Sequence, residues 1–197
     1  MTLVRYSGDN KTWIHLTYSS SASLVSIAST NQPNSTALVA DSLLLPHPSH
    51  SFDFAISIAV VHHFSTRERR VEAVKTMLNV LRRDPQEASD RGRGGKGKAL
   101  IYVWALEQKN SRRGWDEGGE QDIMVPWVMK GSSGGKPRGE SGNSSGEKSS
   151  STEDRTFNRY YHLYRKGELE EDVVEAGGVV LEGGWERDNW WVIAALK

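Results

Sequence analysis

The chain has 197 residues, 37% of them hydrophobic, and 25 basic against 25 acidic side chains: enough for one α/β core, with no net charge. With no cysteine, a disulfide framework and any thiolate metal site are excluded. No apolar run approaches the roughly 18 residues needed to cross a bilayer, and no basic-then-apolar leader opens the chain, so a soluble intracellular protein is expected.

Residues 2–6 and 12–18 predict two short strands around the turn-forming Ser7-Gly8-Asp9-Asn10. Residues 21–31 place Leu24, Ile27 and Ala28 at helical spacing, and 36–40 reads as a further short strand. The stretch that organises the chain is 52–61, apolar and β-branched with one charge, the pattern of a parallel-sheet strand buried on both faces. Its carboxyl end carries His62, His63, Ser65 and Thr66, and ligands of open α/β sheets sit at such ends. Ser65 followed three residues later by Glu68 has capping-box spacing, and Val71, Val74, Leu78 and Leu81 form one stripe, predicting a helix over 67–82. Residues 83–97 are a Gly- and charge-rich loop insertion, and 98–106 predict a second buried strand.

Residues 123–129, with Pro126 and Trp127, are apolar and expected to pack against another element. Residues 130–154 are almost all Gly, Ser and charge, a disordered insertion within one domain spanning 1–197. A helix over 167–176 stops at Gly177-Gly178, and strands over 179–185 and 190–196 flank a tight connection, implying an antiparallel pair. The fold class is therefore α/β, with a mostly parallel, Rossmann-like sheet closed by an antiparallel C-terminal edge strand.

Charge is uneven. Residues 67–98 hold ten basic side chains against five acidic, and 167–188 hold eight acidic against one basic. A basic patch can attract a polyanion, though a solvated helix face plus a loop is the plainer reading. Gly92-Arg93-Gly94-Gly95-Lys96-Gly97 matches a phosphate-loop spacing, but with a helix before and a strand after the order is inverted, so it is discarded. His47, His50, His62 and His63 match no metal-ligand spacing, and no metal is expected. Asp41 is the best single binding candidate, with a turn or cap aspartate as the alternative, and Asp53 is expected to be structural. Arg159-Tyr160-Tyr161-His162-Leu163-Tyr164 puts four polar-tipped rings beside Arg165 and Lys166, suited either to stacking on unpaired bases or to an aromatic core.

The strings Leu45-Pro46-His47-Pro48, Ser51-Phe52-Asp53-Phe54 through Val61-His62-His63-Phe64-Ser65-Thr66, Ala99-Leu100-Ile101-Tyr102-Val103-Trp104-Ala105-Leu106-Glu107-Gln108, Val125-Pro126-Trp127, Arg159 through Tyr164 and Glu186-Arg187-Asp188-Asn189-Trp190-Trp191 resemble, in order, the tRNA wobble-uridine carboxymethyl methyltransferases. The resemblance implies a class I methyltransferase fold and methyl transfer from S-adenosylmethionine to the carboxylate of 5-carboxymethyluridine in tRNA. It implies Asp41, Ser42, Ala59 and Val60 as cofactor contacts, and His62, Arg159, Tyr160, His162, Tyr164, Arg187 and Asn189 as substrate contacts. No catalytic side chain is singled out. It also implies a small zinc-containing activator subunit docking by strand addition around residues 36–40, and a cytoplasmic location with the nucleus second. The family's first strand and glycine-rich loop have no counterpart before Ser21, and its acidic ribose-binding position falls on Ser19. A chain missing that strand and loop, truncated at its amino end, is the expectation. Two other readings stay open: a member that binds tRNA or activator without catalysis, and a methyltransferase of small carboxylic acids.

Overall fold

The computed structural model describes residues 1–7, 12–31, 36–83, 96–108, 114–129 and 155–197. The predicted insertion at 130–154 and most of the 83–97 loop lie outside the described residues. In chain order the elements are β1 (Thr2–Ser7), β2 (Thr12–Ser19), α1 (Ala22–Asn31), β3 (Thr36–Val39), β4 (Phe54–Ile58), a 3₁₀ turn (Val61–His63), α2 (Arg67–Asn79), β5 (Lys98–Trp104), β6 (Asp122–Met129), β7 (Arg155–His162), α3 (Glu168–Glu175), β8 (Gly178–Glu186) and β9 (Asn189–Leu196).

Seven strands form one sheet in the order β3-β2-β1-β4-β5-β9-β8, and β6 and β7 form a separate two-stranded sheet. β2 pairs parallel with β3, and β4 parallel with β5. β1 lies antiparallel to both β2 and β4, so β2, β3, β4 and β5 all point the same way and share one carboxyl edge. The expected gap in the sheet is thus filled, by a strand running backwards. The reason is chain length. Four residues separate β1 from β2, and such a connection joins only antiparallel neighbours, whereas a parallel strand needs a crossover of about a dozen residues or more. The antiparallel C-terminal strand also differs from expectation: β9 lies one place inside the edge, between β5 and β8.

The steps β2-α1-β3 and β4-α2-β5 run in opposite directions across the sheet, so right-handed crossovers put α1 and α2 on opposite faces. Cross-strand register places Leu3, Ala55, Ser57, Ala99, Ile101, Val103, Val192 and Ala194 on one face. Val74, Met77 and Leu78 of α2 and Leu169 and Val173 of α3 complete the core with them. On the other face α1 packs against β3 and β2, and Phe54 and Ile58 stay 41% and 61% exposed. The strand expected to be buried on both faces is therefore buried on one. It is also shorter than 52–61, because beyond Ala59 the chain turns into the 3₁₀ turn.

Thr66, one residue past the expected Ser65, caps α2, its Oγ1 accepting the Arg69 amide at 3.4 Å. α2 stops at Asn79, short of the expected 82, because the amides of Ser51 and Phe52 both take the Val80 carbonyl and Leu81 pairs beside Phe52. Gly97 lies under this junction, where a Cβ would stand 2.8 Å from the Arg82 nitrogen and 2.9 Å from the Phe52 oxygen. Arg187 and Asp188 join β8 to β9 with φ of 48° and 66°, the two left-handed residues of a type I′ hairpin.

Candidate active site

Four parallel strands deliver their carboxyl ends to one edge, where Asp41, Ala59-Val60 and Ala105 follow β3, β4 and β5. Ala59 has φ of 55°, a left-handed conformation costly for a residue with a Cβ, while its amide donates to the Tyr102 carbonyl at 3.1 Å. Strained backbone of this kind concentrates where a chain must turn sharply beside a ligand. Asp41 is exposed, and its Oδ1 accepts the Leu43 amide at 2.9 Å, closing its own turn, so the turn reading of this residue holds locally. Oδ2 is not part of that bond. Ser42 is half-buried beside it.

The two-stranded β6–β7 sheet is an arm that folds over this edge. Tyr161 stacks on Trp104 at 4.2 Å between centroids and 3° between planes, and packs against His62 and His63. His63 Nδ1 lies 3.0 Å from the Tyr160 carbonyl, tying the arm to the 3₁₀ turn after β4. His62 is fully buried, and its Nδ1 accepts the Trp104 amide at 3.0 Å. That bond fixes the proton on Nε2, which has no partner among the described residues. Burial, with His63 and His162 adding to it, pushes the His62 pKa down to about 3, so the ring is neutral.

Of the predicted substrate contacts, Arg159 and Arg187 are exposed and Tyr160 is half-buried. The Arg159 guanidinium lies over the Trp127 ring at 4.3 Å. The Tyr160 hydroxyl donates to Asp122 Oδ1, and burial, then Asp122, raises its pKa to about 12. Burial alone would raise the Asp122 carboxyl, but hydrogen bonds from Tyr160 and His162 hold it below its ordinary value. Arg187 sits at the exposed tip of the β8–β9 hairpin, whose Asp188 carbonyl accepts the Ala105 amide at 3.0 Å and so docks the turn at the end of β5.

The other four predicted contacts serve the scaffold. His62 is the buried anchor just described. His162 is buried between Asp122, 2.8 Å from Nδ1, and Glu168, 2.7 Å from Nε2, so both ring nitrogens are engaged. Tyr164 is fully buried and donates to Asp172 Oδ2 at 3.0 Å, while Arg67 Nε reaches Asp172 Oδ1 at 3.1 Å. Asn189 donates to the Arg187 carbonyl at 2.7 Å, closing the hairpin. Sequence reasoning also missed the Trp104–Tyr161 stack and the role of Glu107. The two oxygens of Glu107 accept the Lys166 amide and Trp190 Nε1, each at 2.9 Å. Beside it a cleft of about 370 Å³ is lined by Glu107, Glu117, Gln121, Arg165 and Lys166. The signal for these was the aromatic residues at the end of β5, in β7 and at the start of β9.

The exposed Asp41, the left-handed turn at Ala59 and the half-buried Val60 suit the adenosine half of S-adenosylmethionine: a carboxylate accepts from hydroxyl or amino groups, and a sharp turn exposes backbone amides. A mixed sheet with this strand order and a site along its carboxyl edge defines a class I methyltransferase. Solved structures agree on the fold. An S-adenosylmethionine-dependent methyltransferase from Methanosarcina mazei aligns over 92% of this chain and 82% of its own, at TM-score 0.60 and 10% identity. The family model described as a methyltransferase domain matches residues 8–85. A tRNA (carboxymethyluridine(34)-5-O)-methyltransferase of Schizosaccharomyces pombe is 48% identical over 174 residues, covering 87% of this chain and 67% of that protein. One of the same name from Saccharomyces cerevisiae is 40% identical, covering 88% and 73%. The chain belongs to the tRNA (carboxymethyluridine(34)-5-O)-methyltransferase family.

Proposed function

We propose that this chain transfers the methyl group of S-adenosylmethionine to the carboxylate of 5-carboxymethyluridine at the wobble position of tRNA. One observation carries the reading. The β6–β7 arm is anchored to the carboxyl end of β5 by the Tyr161–Trp104 stack and to the turn after β4 by the His63–Tyr160 contact, which brings the predicted substrate-contact segment to the edge where the cofactor would sit. The cofactor, when bound, supplies an electrophilic sulfonium methyl. A carboxylate with a pKa near ~4 is already ionised at neutral pH, so no general base is required. The protein's work is alignment and charge placement. Asp41 and Ser42 would hold the adenosine end and the Ala59-Val60 turn would border it. Arg187 would hold the carboxylate, and Arg159 and Tyr160 would border the base.

The finer partner assignment is also ours: a small zinc-containing activator adds a strand to β3. β3 is the last strand of its sheet, and Leu38, Val39, Leu24 and Ile27 beside it are 38–59% exposed. A reaction on tRNA by a cysteine-free chain supports the cytoplasm as its place, with the nucleus second.

Incubating the chain and activator with S-adenosylmethionine and tRNA lacking the ester tests the reading. Mass spectrometry of the digested nucleosides should show the methyl ester of 5-carboxymethyluridine. Equal methylation of small carboxylic acids would favour the small-acid reading. The reversed β1 favours a second reading, in which the chain binds tRNA without transfer. Calorimetric titration with S-adenosylmethionine separates the two, since no heat at millimolar cofactor supports binding alone.

A further inference from the structure

One face of the arm runs outward from the candidate site. β6 pairs with β7 so that Ile123 faces Tyr161, Val125 faces Arg159 and Trp127 faces Phe157. Side chains alternate along a strand, so these six share one face of the two-stranded sheet. Its inner end, Tyr161, is the ring stacked on Trp104 at the candidate site. Its outer end is open: Trp127 is 40% exposed and Phe157 47%, with ring centroids 6.4 Å apart. Next to them the Arg159 guanidinium lies 4.3 Å from the Trp127 ring centre, with no carboxylate within ion-pair distance among the described residues. A guanidinium over an indole still has N–H groups to offer a phosphate.

We infer that Trp127, Phe157 and Arg159 form a stacking platform for unpaired nucleobases next to the nucleotide held at the sheet edge. Phe157 and Tyr161 are four residue steps apart along β7, a run of about 13 Å, roughly four stacking steps of a nucleic-acid strand. Exposed rings with an adjacent cation recognise single strands, because every base has a π-face and the guanidinium meets the backbone between bases. A duplex keeps its bases stacked on one another and offers these rings nothing. The platform therefore selects an RNA loop over a stem, and continuity with Tyr161 directs the strand towards the methyl donor. The inference rests on the tRNA reading above and extends it outward along the arm.

The test is fluorescence anisotropy with the full chain and three labelled RNAs: an anticodon stem-loop, its loop sequence as a linear strand, and a blunt duplex. Trp127→Leu keeps an apolar side chain but removes the π-face, Trp127→Phe keeps a ring, and Phe157→Leu is an independent second variant. Each Leu variant should bind the stem-loop and the linear strand roughly 5- to 100-fold more weakly. Trp127→Phe should stay within about threefold of the parent, and duplex binding should not move. Unchanged single-strand affinity in both Leu variants, or equal losses for Trp127→Leu and Trp127→Phe, would overturn the platform. Methyl transfer by the parent chain is scored separately. If the parent transfers no methyl but the Leu variants lose single-strand binding, the platform stands and the tRNA ester reading falls. If the parent transfers methyl and the Leu variants keep their affinity, the platform alone falls.

Discussion

Tyr164 was expected to touch substrate and instead lies fully buried with its hydroxyl on Asp172, so Tyr164→Phe separates the two roles. Asp172 is itself fully buried, and burial raises its carboxyl above the ordinary range despite help from Tyr164, Arg70 and Arg67. A raised folded value means that ionising Asp172 costs the fold more than the unfolded chain. That cost grows as pH rises through the unfolded value of 3.8 towards the folded one. The Tyr164 hydroxyl offsets part of it by donating to the carboxylate. Removing it takes away a hydrogen bond to a charged group, about 2 kcal/mol at neutral pH, and about 1 kcal/mol once acid neutralises the carboxyl. For a chain of this size, 2 kcal/mol lowers Tm by about 4–8 °C. Urea unfolding at pH 7.5 and at successively lower pH should show a lower midpoint with unchanged slope and a loss that shrinks towards acid. RNA affinity of the folded variant should stay within about threefold of the parent, since a buried scaffold hydroxyl meets no RNA. Unchanged stability with a tenfold loss of RNA affinity would refute the scaffold role, as would a loss that deepens towards acid.

The pH dependence carries a second expectation. His62 is held near 3 in the fold against 6.5 when unfolded, so the native state takes up no proton there while the unfolded chain does. Stability should therefore fall as pH drops from about 6.5 towards 3, by up to ~1.4 kcal/mol per pH unit, and His62→Gln should flatten that slope in acid titrations of the unfolding midpoint. Ala59→Gly relieves the left-handed backbone and should stabilise the chain by about 0.5–1 kcal/mol in urea, net of the entropy glycine adds to the unfolded state. Gly184→Ala would place a Cβ 3.1 Å from the Trp191 ring, which stacks on Tyr102, and should cost about 1–3 kcal/mol and alter the near-ultraviolet dichroism.

The elements with strong local periodicity could be read in advance. α2, β5 and the β8–β9 hairpin follow from apolar spacing and a short connection, all encoded within a few positions, although the cap of α2 falls on Thr66 and not on the expected Ser65. The direction of β1 could not be read that way, because alternation marks a strand without saying which way it runs, though the short link to β2 was already decisive. The β6–β7 pairing escaped notice because its partners lie more than 25 residues apart and Pro126 argues against an interior strand. In a two-stranded sheet every strand is an edge, so Pro126 is tolerated there. The roles of His162 and Tyr164 were hidden for a different reason: a polar-tipped ring fits a site or a buried network equally well, and only the neighbouring Asp122, Glu168 and Asp172 decide which. Phe54 and Ile58 show the same gap, since their apolarity predicted burial on a face that α1 leaves open.

The central claim is that the methyl donor binds along the shared carboxyl edge even though β1 enters it reversed. Amide hydrogen exchange with and without S-adenosylmethionine tests this most directly. The account predicts added protection at residues 41–42 and 59–63, with the arm around Tyr160 slowing further when RNA is present. Protection confined to another part of the chain, or no change at saturating cofactor, would contradict it.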